Sequence, residues 1–356
     1  MIRITKRAEL PKSREWIIRT AAIILSLIFA GIVIAILGFN PVRVFTEIIN
    51  GAIGTQMRIN QTILRAIPLI ITSMGILVAF KMRFWNIGGE GQIMMGAMGA
   101  AFVALNFSPD MPRFAMLILM AVAAMLCGGL WAFIPAFFKA GFGTNETIFT
   151  LMMNYIAIQW VTYLQFELWR DDGHLGFPRI AAFPENALMP RLFGIHAGWL
   201  IAIVAVIVVY ILINHTKKGY EITVLGESME TARYAGMNTK VITVVAMLIS
   251  GGLCGLTGMV QVSAIERTLT YSVSAGFGFT AIITTWLGRL SAPTIAVVCF
   301  IFAMLLQGGT FLQIALSVPA SVAETIQGII LFFVLGSEFF IQYKVSFRRK
   351  VKKVVA

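Results

Sequence analysis

Ten stretches of this chain are apolar and almost free of charge, at about 17–38, 62–80, 93–106, 114–134, 147–167, 198–214, 241–262, 277–288, 294–310 and 321–341, several of them shorter than a full crossing. A helix needs about 20 apolar residues to cross a bilayer. In lipid every backbone polar group must be satisfied within the structure, which leaves helices for runs of this kind. Composition agrees, with 58% hydrophobic and 12% charged residues, against about a quarter charged in soluble domains. An ordinary soluble enzyme, a disordered chain and a fibrous one are excluded. The expected fold is all-α, a polytopic membrane bundle of about ten spans forming a single transmembrane domain over 1–356. The short, glycine-flanked runs at 93–106 and 277–288 predict broken or re-entrant helices. Ile17 to Gly38 is longer than a signal-peptide core and lacks a small-residue cleavage site before Phe39-Asn40-Pro41, so it is expected to be retained.

A net charge of +12 would suggest nucleic acid in a soluble protein, but the cations sit at the ends. Arg3, Lys6, Arg7, Lys12, Arg14 and Arg19 open the chain, and Lys344, Arg348, Arg349, Lys350, Lys352 and Lys353 close it. Positive charge next to a span marks the cytoplasmic side and favours anionic lipid. Both termini are therefore expected inside, as a segment 1–16 before the bundle 17–341 and a basic tail 342–356. Lys81, Arg83, Lys139, Lys217, Lys218, Arg233, Lys240 and Arg289 then also fall inside, with every lysine. The basic residues left outside, Arg43, Arg58, Arg65, Arg113, Arg170, Arg179, Arg191 and Arg267, are all arginine. The expected partner of this charge is membrane lipid, with no nucleic acid. Cys127, Cys254 and Cys299 lie in apolar runs and read as packing residues.

Catalytic chemistry has no visible carrier. There is no Gly-x-x-x-x-Gly-Lys-Ser/Thr loop, no His-Glu-x-x-His and no Gly-x-Ser-x-Gly. His174, His196 and His215 lack metal spacing. The run Leu248-Ile249-Ser250-Gly251-Gly252 looks superficially like an ATPase signature, but Gly251-x-x-x-Gly255 inside an apolar span suits close helix approach. The chain is read as no enzyme and without cofactor, so energy for uphill transport would come from elsewhere.

Polar groups interrupt the apolar pattern in a few places. Phe84-Trp85-Asn86-Ile87-Gly88-Gly89-Glu90-Gly91-Gln92 breaks regular helix with glycines and brings Asn86, Glu90 and Gln92 into the break. These residues fit a transport pathway, a cytoplasmic turn after Lys81 and Arg83, or a structural hydrogen-bond clamp. Thr144 or Asn145 can cap the helix that follows, and Glu146 favours its positive end. Asn154 lies about two turns inside that span, as interhelical glue or a pathway contact. Residues 168–197, with Pro178, Pro184 and Pro190, form a polar external loop, and 215–240 form the largest internal one. Within the latter, 225–238 reads as a short helix capped by Ser228 and stopped by Gly236, either solvated or offered to a cytoplasmic protein. Glu324 and Gln327 follow Pro319 on one helix face near the outer interface. Gly141-Phe142-Gly143 and Gly276-Phe277-Gly278 form a faint echo, too weak to establish a repeat.

Three of these segments carry a resemblance. Asn86 through Ala97, Asn145 through Ala157 and Ala232-Arg233-Tyr234-Ala235-Gly236-Met237-Asn238 are similar to segments of the membrane permeases of bacterial ABC importers. Gly276 to Ile282 and Leu287-Gly288-Arg289-Leu290-Ser291-Ala292-Pro293 also resemble the pattern before the penultimate spans. The superfamily is that of branched-chain amino acid and simple-sugar permeases, and the chain most resembles the nucleoside subgroup served by basic-membrane-protein-type lipoproteins, over about residues 15–345. The resemblance implies a multi-pass protein of the bacterial inner membrane, paired with a second permease, often a paralogue. It also implies an ATPase with two nucleotide-binding domains and a lipid-anchored or periplasmic substrate-binding protein. The loop 226–238 matches the coupling region, so Gly226, Glu227, Ala232, Arg233, Tyr234, Ala235 and Gly236 are the expected ATPase contacts. Asn86, Glu90, Gln92 and Asn154 as pathway residues rest on their chemistry, since the family fixes no substrate site. Gly89 departs from relatives that carry a bulkier apolar residue there, which leaves the turn more flexible. The expected function is a permease subunit that takes a nucleoside or simple sugar inward by alternating access. Rival readings are an ion-coupled secondary transporter, whose relay Glu90 and Glu324 would have to supply, and a membrane scaffold without transport.

Overall fold

Each apolar stretch is helical in the computed structural model, which describes residues 2–6, 11–171, 173, 176–317 and 319–347. Arg7, His174 and the tail cations Arg348, Arg349, Lys350, Lys352 and Lys353 lie outside the described residues. The helices are α1 (Lys12–Ile36), α2 (Pro41–Ile53), α3 (Gln56–Lys81), α4 (Gly89–Asn106), α5 (Arg113–Phe142), α6 (Glu146–Tyr163), α7 (Gly198–His215), α8 (Lys217–Glu227), α9 (Met229–Tyr234), α10 (Thr239–Val260), α11 (Phe277–Leu287), α12 (Ala292–Leu316) and α13 (Ala320–Gln342). π-Helical turns, Leu164–Leu168 and Gln261–Glu266, extend α6 and α10. Among the described residues, α3, α5, α7, α10 with its π turn, and α12 are long and apolar enough to cross a membrane. The pair α1 and α2, bent by 115°, makes a sixth if taken as one broken span. The bend follows from Pro41 at the first helical position and Asn40 before it, whose side chain accepts from the Val42 and Arg43 amides.

The chain divides into two compact units, Met1–Ile59 with Met304–Ala356, and Asn60–Ala303. In the first, β1 (Ile2–Lys6) pairs antiparallel with β4 (Tyr343–Phe347), from Ile2↔Phe347 to Lys6↔Tyr343. The two ends of the chain therefore emerge side by side. Ala30, Ile34, Val44, Leu312 and Ile326 form its core.

In the second unit, α4, α5 and α10 meet backbone to backbone. A Cβ on Gly96 would overlap Gly255, and one on Gly251 would overlap the Gly128 carbonyl oxygen. Gly251-x-x-x-Gly255 thus performs the close approach its spacing implies, the membrane substitute for a hydrophobic driving force. α3 runs through this unit, buried from Ala66 to Phe80. Cys254 and Cys299 are buried and free, and Cys127 is half-buried against Gly99.

Lys81, Arg83, Lys139, Lys217, Lys218, Arg233, Lys240 and Arg289 gather around neighbouring cavities at one end of this unit. At the other end the loop residues 180–189 fold back on 263–268. The Phe183 amide donates to the Arg267 carbonyl (2.9 Å) and the Met189 amide to the Ser263 carbonyl (3.0 Å). The loop ends in the hairpin β2 (Arg191–Leu192) and β3 (Ile195–His196). His196 is buried there, and its Nδ1 accepts from the Gly198 amide (3.2 Å). Burial, with Arg191 nearby, pushes its pKa from 6.5 down to about 4.

Two outcomes follow from this architecture. Gly255→Val should lower the melting midpoint of the detergent-solubilised protein, by about 1–3 kcal/mol of overpacking. Gly252→Ala, whose Cβ would meet nothing closer than 3.5 Å, should be neutral or mildly stabilising. For His196 the folded pKa lies below the unfolded one, so the unfolded chain binds the extra proton between them. Stability should be complete above about pH 6.5 and fall by about 3 kcal/mol as pH drops toward 4. His196→Gln should flatten that part of the melting profile.

Candidate functional site

The first turn of α4 has four backbone amides that no helical carbonyl can reach, and Gly88 at its N-cap has no side chain to help. Asn86 supplies the missing oxygen. Its Oδ1 accepts from the Gly88 amide (3.0 Å) and from Gln92 Nε2 (3.0 Å). Its Nδ2 donates to Gln92 Oε1 (3.1 Å) and to Ser250 Oγ on α10 (3.1 Å). From α6, Asn154 Oδ1 accepts from the Gly91 amide (2.8 Å) while its Nδ2 donates to the Ile87 carbonyl (2.9 Å). Thr150 Oγ1 accepts from the Ile87 amide (3.2 Å).

Glu90 solves the same problem for a different helix. α11 begins at Gly276, which sits at φ +77 and has no side-chain cap. The Glu90 carboxylate accepts from the amides of Gly278 (2.7 Å) and Phe279 (3.3 Å), with Ser274 alongside. These are the second and third residues of α11, so Glu90 is an N-cap supplied by another helix, with its acceptor oxygen at the positive end of the dipole. The two helix starts touch: a Cβ on Gly278 would overlap the Glu90 amide nitrogen, and one on Gly89 would crowd Gly278. That contact is the physical reason for glycine at position 89.

Asn86, Glu90, Gln92 and Asn154 are therefore all buried and all brought together. Ser250 lies eleven residues into α10, roughly 16 Å from its start, so the cluster is deep within the bundle. Of the three readings of 84–92, the exposed turn is excluded by burial, and the geometry is that of a hydrogen-bonded clamp joining α4 to α6, α10 and α11. A ladder of hydroxyls continues it, which sequence reasoning missed: Thr72 Oγ1 donates to Thr257 Oγ1 (2.9 Å), and Ser73 Oγ lies 2.8 Å from Thr284 Oγ1. Hydroxyls inside apolar runs were the available signal. Asn145 caps α6, accepting from the Thr147 and Ile148 amides, whereas Thr144 does not. Glu146 pairs with Lys139 at 2.7 Å.

The internal loop differs from expectation. Residues 215–240 are two helices, α8 started by Thr216 and α9 started by Ser228, whose side chain accepts from the Thr231 amide. Gly236, at φ +73, ends α9 as expected. Glu227, Arg233, Tyr234, Ala235 and Gly236 are exposed, Tyr234 at 97%. Gly226 and Ala232 are buried, Gly226 in the lining of the cleft beside α9. A Cβ on Gly226 would overlap the Lys81 carbonyl oxygen, so that residue seats α8 on the end of α3. Ala232 faces inward and accepts the Met237 amide at its carbonyl. Glu324 is exposed on α13, and the Gln327 side chain lies outside the described ones. Among the described residues no three His, Cys, Asp or Glu side chains gather as a metal site.

Glu90→Ala should leave the Gly278 and Phe279 amides without partners and lower the melting midpoint, by about 2 kcal/mol or more. Glu90→Gln, which keeps an acceptor oxygen, should cost less than half as much.

Residues 58–335 match the family described as branched-chain amino acid transport system, permease component. The chain is 32% identical over 337 residues to the glucose ABC transporter permease protein TsgB13 of Haloferax volcanii, covering 91% of this chain and 88% of that one. It is 29% identical to the guanosine ABC transporter permease protein NupP of Bacillus subtilis, covering 89% and 92%. Against the nucleoside ABC transporter permease protein NupB of Lactococcus lactis it is 27% identical, covering 91% of each. With its apolar helices and glycine-mediated contacts, this multi-pass membrane protein belongs to the family of branched-chain amino acid transport system permease components.

Proposed function

We propose that this chain is one permease subunit of an ATP-driven importer that carries a nucleoside or simple sugar inward by alternating access. The observation that carries the substrate class is the self-capped start of α11. An open helix N-terminus inside a transporter is a ready anion site, and here the protein's own Glu90 fills it. What remains near it are amides and hydroxyls, Asn86, Gln92, Asn154, Thr150 and Ser250, suited to a neutral, hydroxylated solute. Similarity to permeases named for glucose, guanosine and nucleosides supports the same class.

In this reading the bundle makes about ten crossings of the bacterial inner membrane as a single permease domain, with both termini cytoplasmic. The paired chain ends and the one-sided gathering of lysines support it. The partners are a second, paralogous permease, an ATPase with two nucleotide-binding domains, and a lipid-anchored or periplasmic binding protein. ATP hydrolysis belongs to the ATPase subunit. Closure of the ATPase pushes α9 through Glu227, Arg233, Tyr234, Ala235 and Gly236. Because α8 rests on the end of α3 at Gly226, that push reaches the 82–88 turn and then the clamp. Asn86, Gln92 and Asn154 become pathway groups when α4 shifts against α6 and α10. An ion-coupled mechanism lacks support, since Glu90 is committed to two backbone amides and Glu324 is exposed.

The test is uptake into proteoliposomes containing the complete complex. Arg233→Glu should reduce ATPase co-purification and ATP-driven uptake at least tenfold. Asn154→Leu should keep the ATPase bound while lowering uptake. Uptake driven by a cation gradient, without any ATPase, would overturn the proposal.

A further inference from the structure

Beside α9 lies a cleft of about 620 Å³ whose walls come from three separate turns. Arg83 stands on the turn between α3 and α4, Lys139 and Gly141 on the last turn of α5, and Arg233 and Lys240 on α9 and the start of α10. Lys139 is paired with Glu146. Arg83, Arg233 and Lys240 have no carboxylate partner among the described residues, against one unpaired carboxylate, Glu227, in the same lining. The floor is apolar, from Met82, Phe84 and Leu225, all buried.

Two backbone features suggest that this cleft is shaped for an occupant. Arg83 holds φ +57, a left-handed conformation that glycine or asparagine adopts at less cost. A cation is kept there despite the strain. Gly141 is the reverse case, a glycine in the last turn of α5 where a Cβ would meet nothing within 4 Å. Glycine in a helix costs up to about 1 kcal/mol relative to alanine, and no internal neighbour demands it. A backbone left bare at the rim suits close approach from outside.

We infer that this cleft is a second seat for the ATPase subunit, receiving a short amphipathic segment with an apolar side chain flanked by carboxylates. The inference rests on the reading of α9 as an ATPase contact and extends the contact to Arg83, Gly141 and Lys240. The cleft is continuous with α9, which supplies Met229 and Arg233 to its lining. Its mixture of an apolar floor, three free cations and a carboxylate matches a protein segment better than a lipid phosphate, which Glu227 would repel. The consequence is mechanical. Arg83 is three residues from Asn86, so a carboxylate seated on it would act on the α3–α4 turn directly and on α9 at the same time.

The decisive experiment uses the full complex purified through a tag on the permease. Arg83→Glu with Lys240→Glu, both exposed positions, should lower retained ATPase at least tenfold, and wild-type retention should weaken as salt rises from about 50 to 500 mM. Gly141→Cys in a Cys127→Ala background, labelled with a benzophenone maleimide, should cross-link to the ATPase on illumination. If Arg233→Glu and Tyr234→Ala release the ATPase while the Arg83 and Lys240 reversals and the cross-link do not respond, this inference falls and the importer reading stands. If none of the four substitutions releases it, both fall. A cross-link to lipid alone also overturns the second seat. Should the reversed variant fail to fold, Arg83→Gln with Lys240→Gln gives the same reading through its salt profile.

Discussion

Backbone amides at the start of a helix have no intrahelical acceptors, and deep in a membrane bundle water is not there to replace them. Two helices of this protein, α4 and α11, begin in that situation, side by side. Asn86, Asn154 and Glu90 answer it directly, and Gln92 and Ser250 hold the Asn86 side chain in place. Asn86 and Asn154 serve the amides around Gly88 and Gly91, and Glu90 serves those of Gly278 and Phe279. The glycines at 89 and 278 are what let the two helix starts come close enough for one side chain to cross between them.

This solution makes the cluster a junction. α4 is held by hydrogen bonds to α6, α10 and α11 at its first turn and by glycine contacts to α5 and α10 further along. The two kinds of contact respond differently to motion. Glycine-to-backbone contact resists small separations weakly but forbids closer approach, so it acts as a bearing surface. Buried hydrogen bonds are costly to leave unmade, so the first turn of α4 is held where its partners are met. In the proposed alternating access, a movement that slides α4 along its glycine face and exchanges the partners of Asn86, Gln92 and Asn154 would cost less than one that leaves those groups unpaired.

Much of this architecture was legible in the sequence, and what was not has identifiable causes. All ten apolar runs are helices, because hydropathy of this strength leaves no alternative in a bilayer. Gly251-x-x-x-Gly255, the Asn145 cap and the Gly236 stop were readable because each is a local rule written within a few residues. α2 and α8 escaped because they are short and polar enough to resemble connections. The β1 and β4 pair escaped because its strands are separated by almost the whole chain. Asn86, Glu90, Gln92 and Asn154 stood out as misplaced polar residues, yet the partners of Glu90 lie 188 and 189 residues away. Nothing local to Glu90 distinguishes a cap from a pathway group. Gly226 and Ala232 are buried while their matched neighbours are exposed, a difference that a resemblance across 226–238 does not register.

The position of Glu90 bears on selectivity as well as on fold. A transporter that offered the bare N-terminus of α11 to its cargo would favour anions and hold them. In the proposed importer, Glu90 already occupies the Gly278 and Phe279 amides, so they are not offered to a solute of either sign. Neither sign is rewarded, and the remaining amides and hydroxyls exchange hydrogen bonds with a neutral solute at little net change. Weak, exchangeable contacts are what release on the inner side requires. A Glu90 side chain that completes the start of α11 would therefore also serve the proposed transport by keeping those amides from the solute.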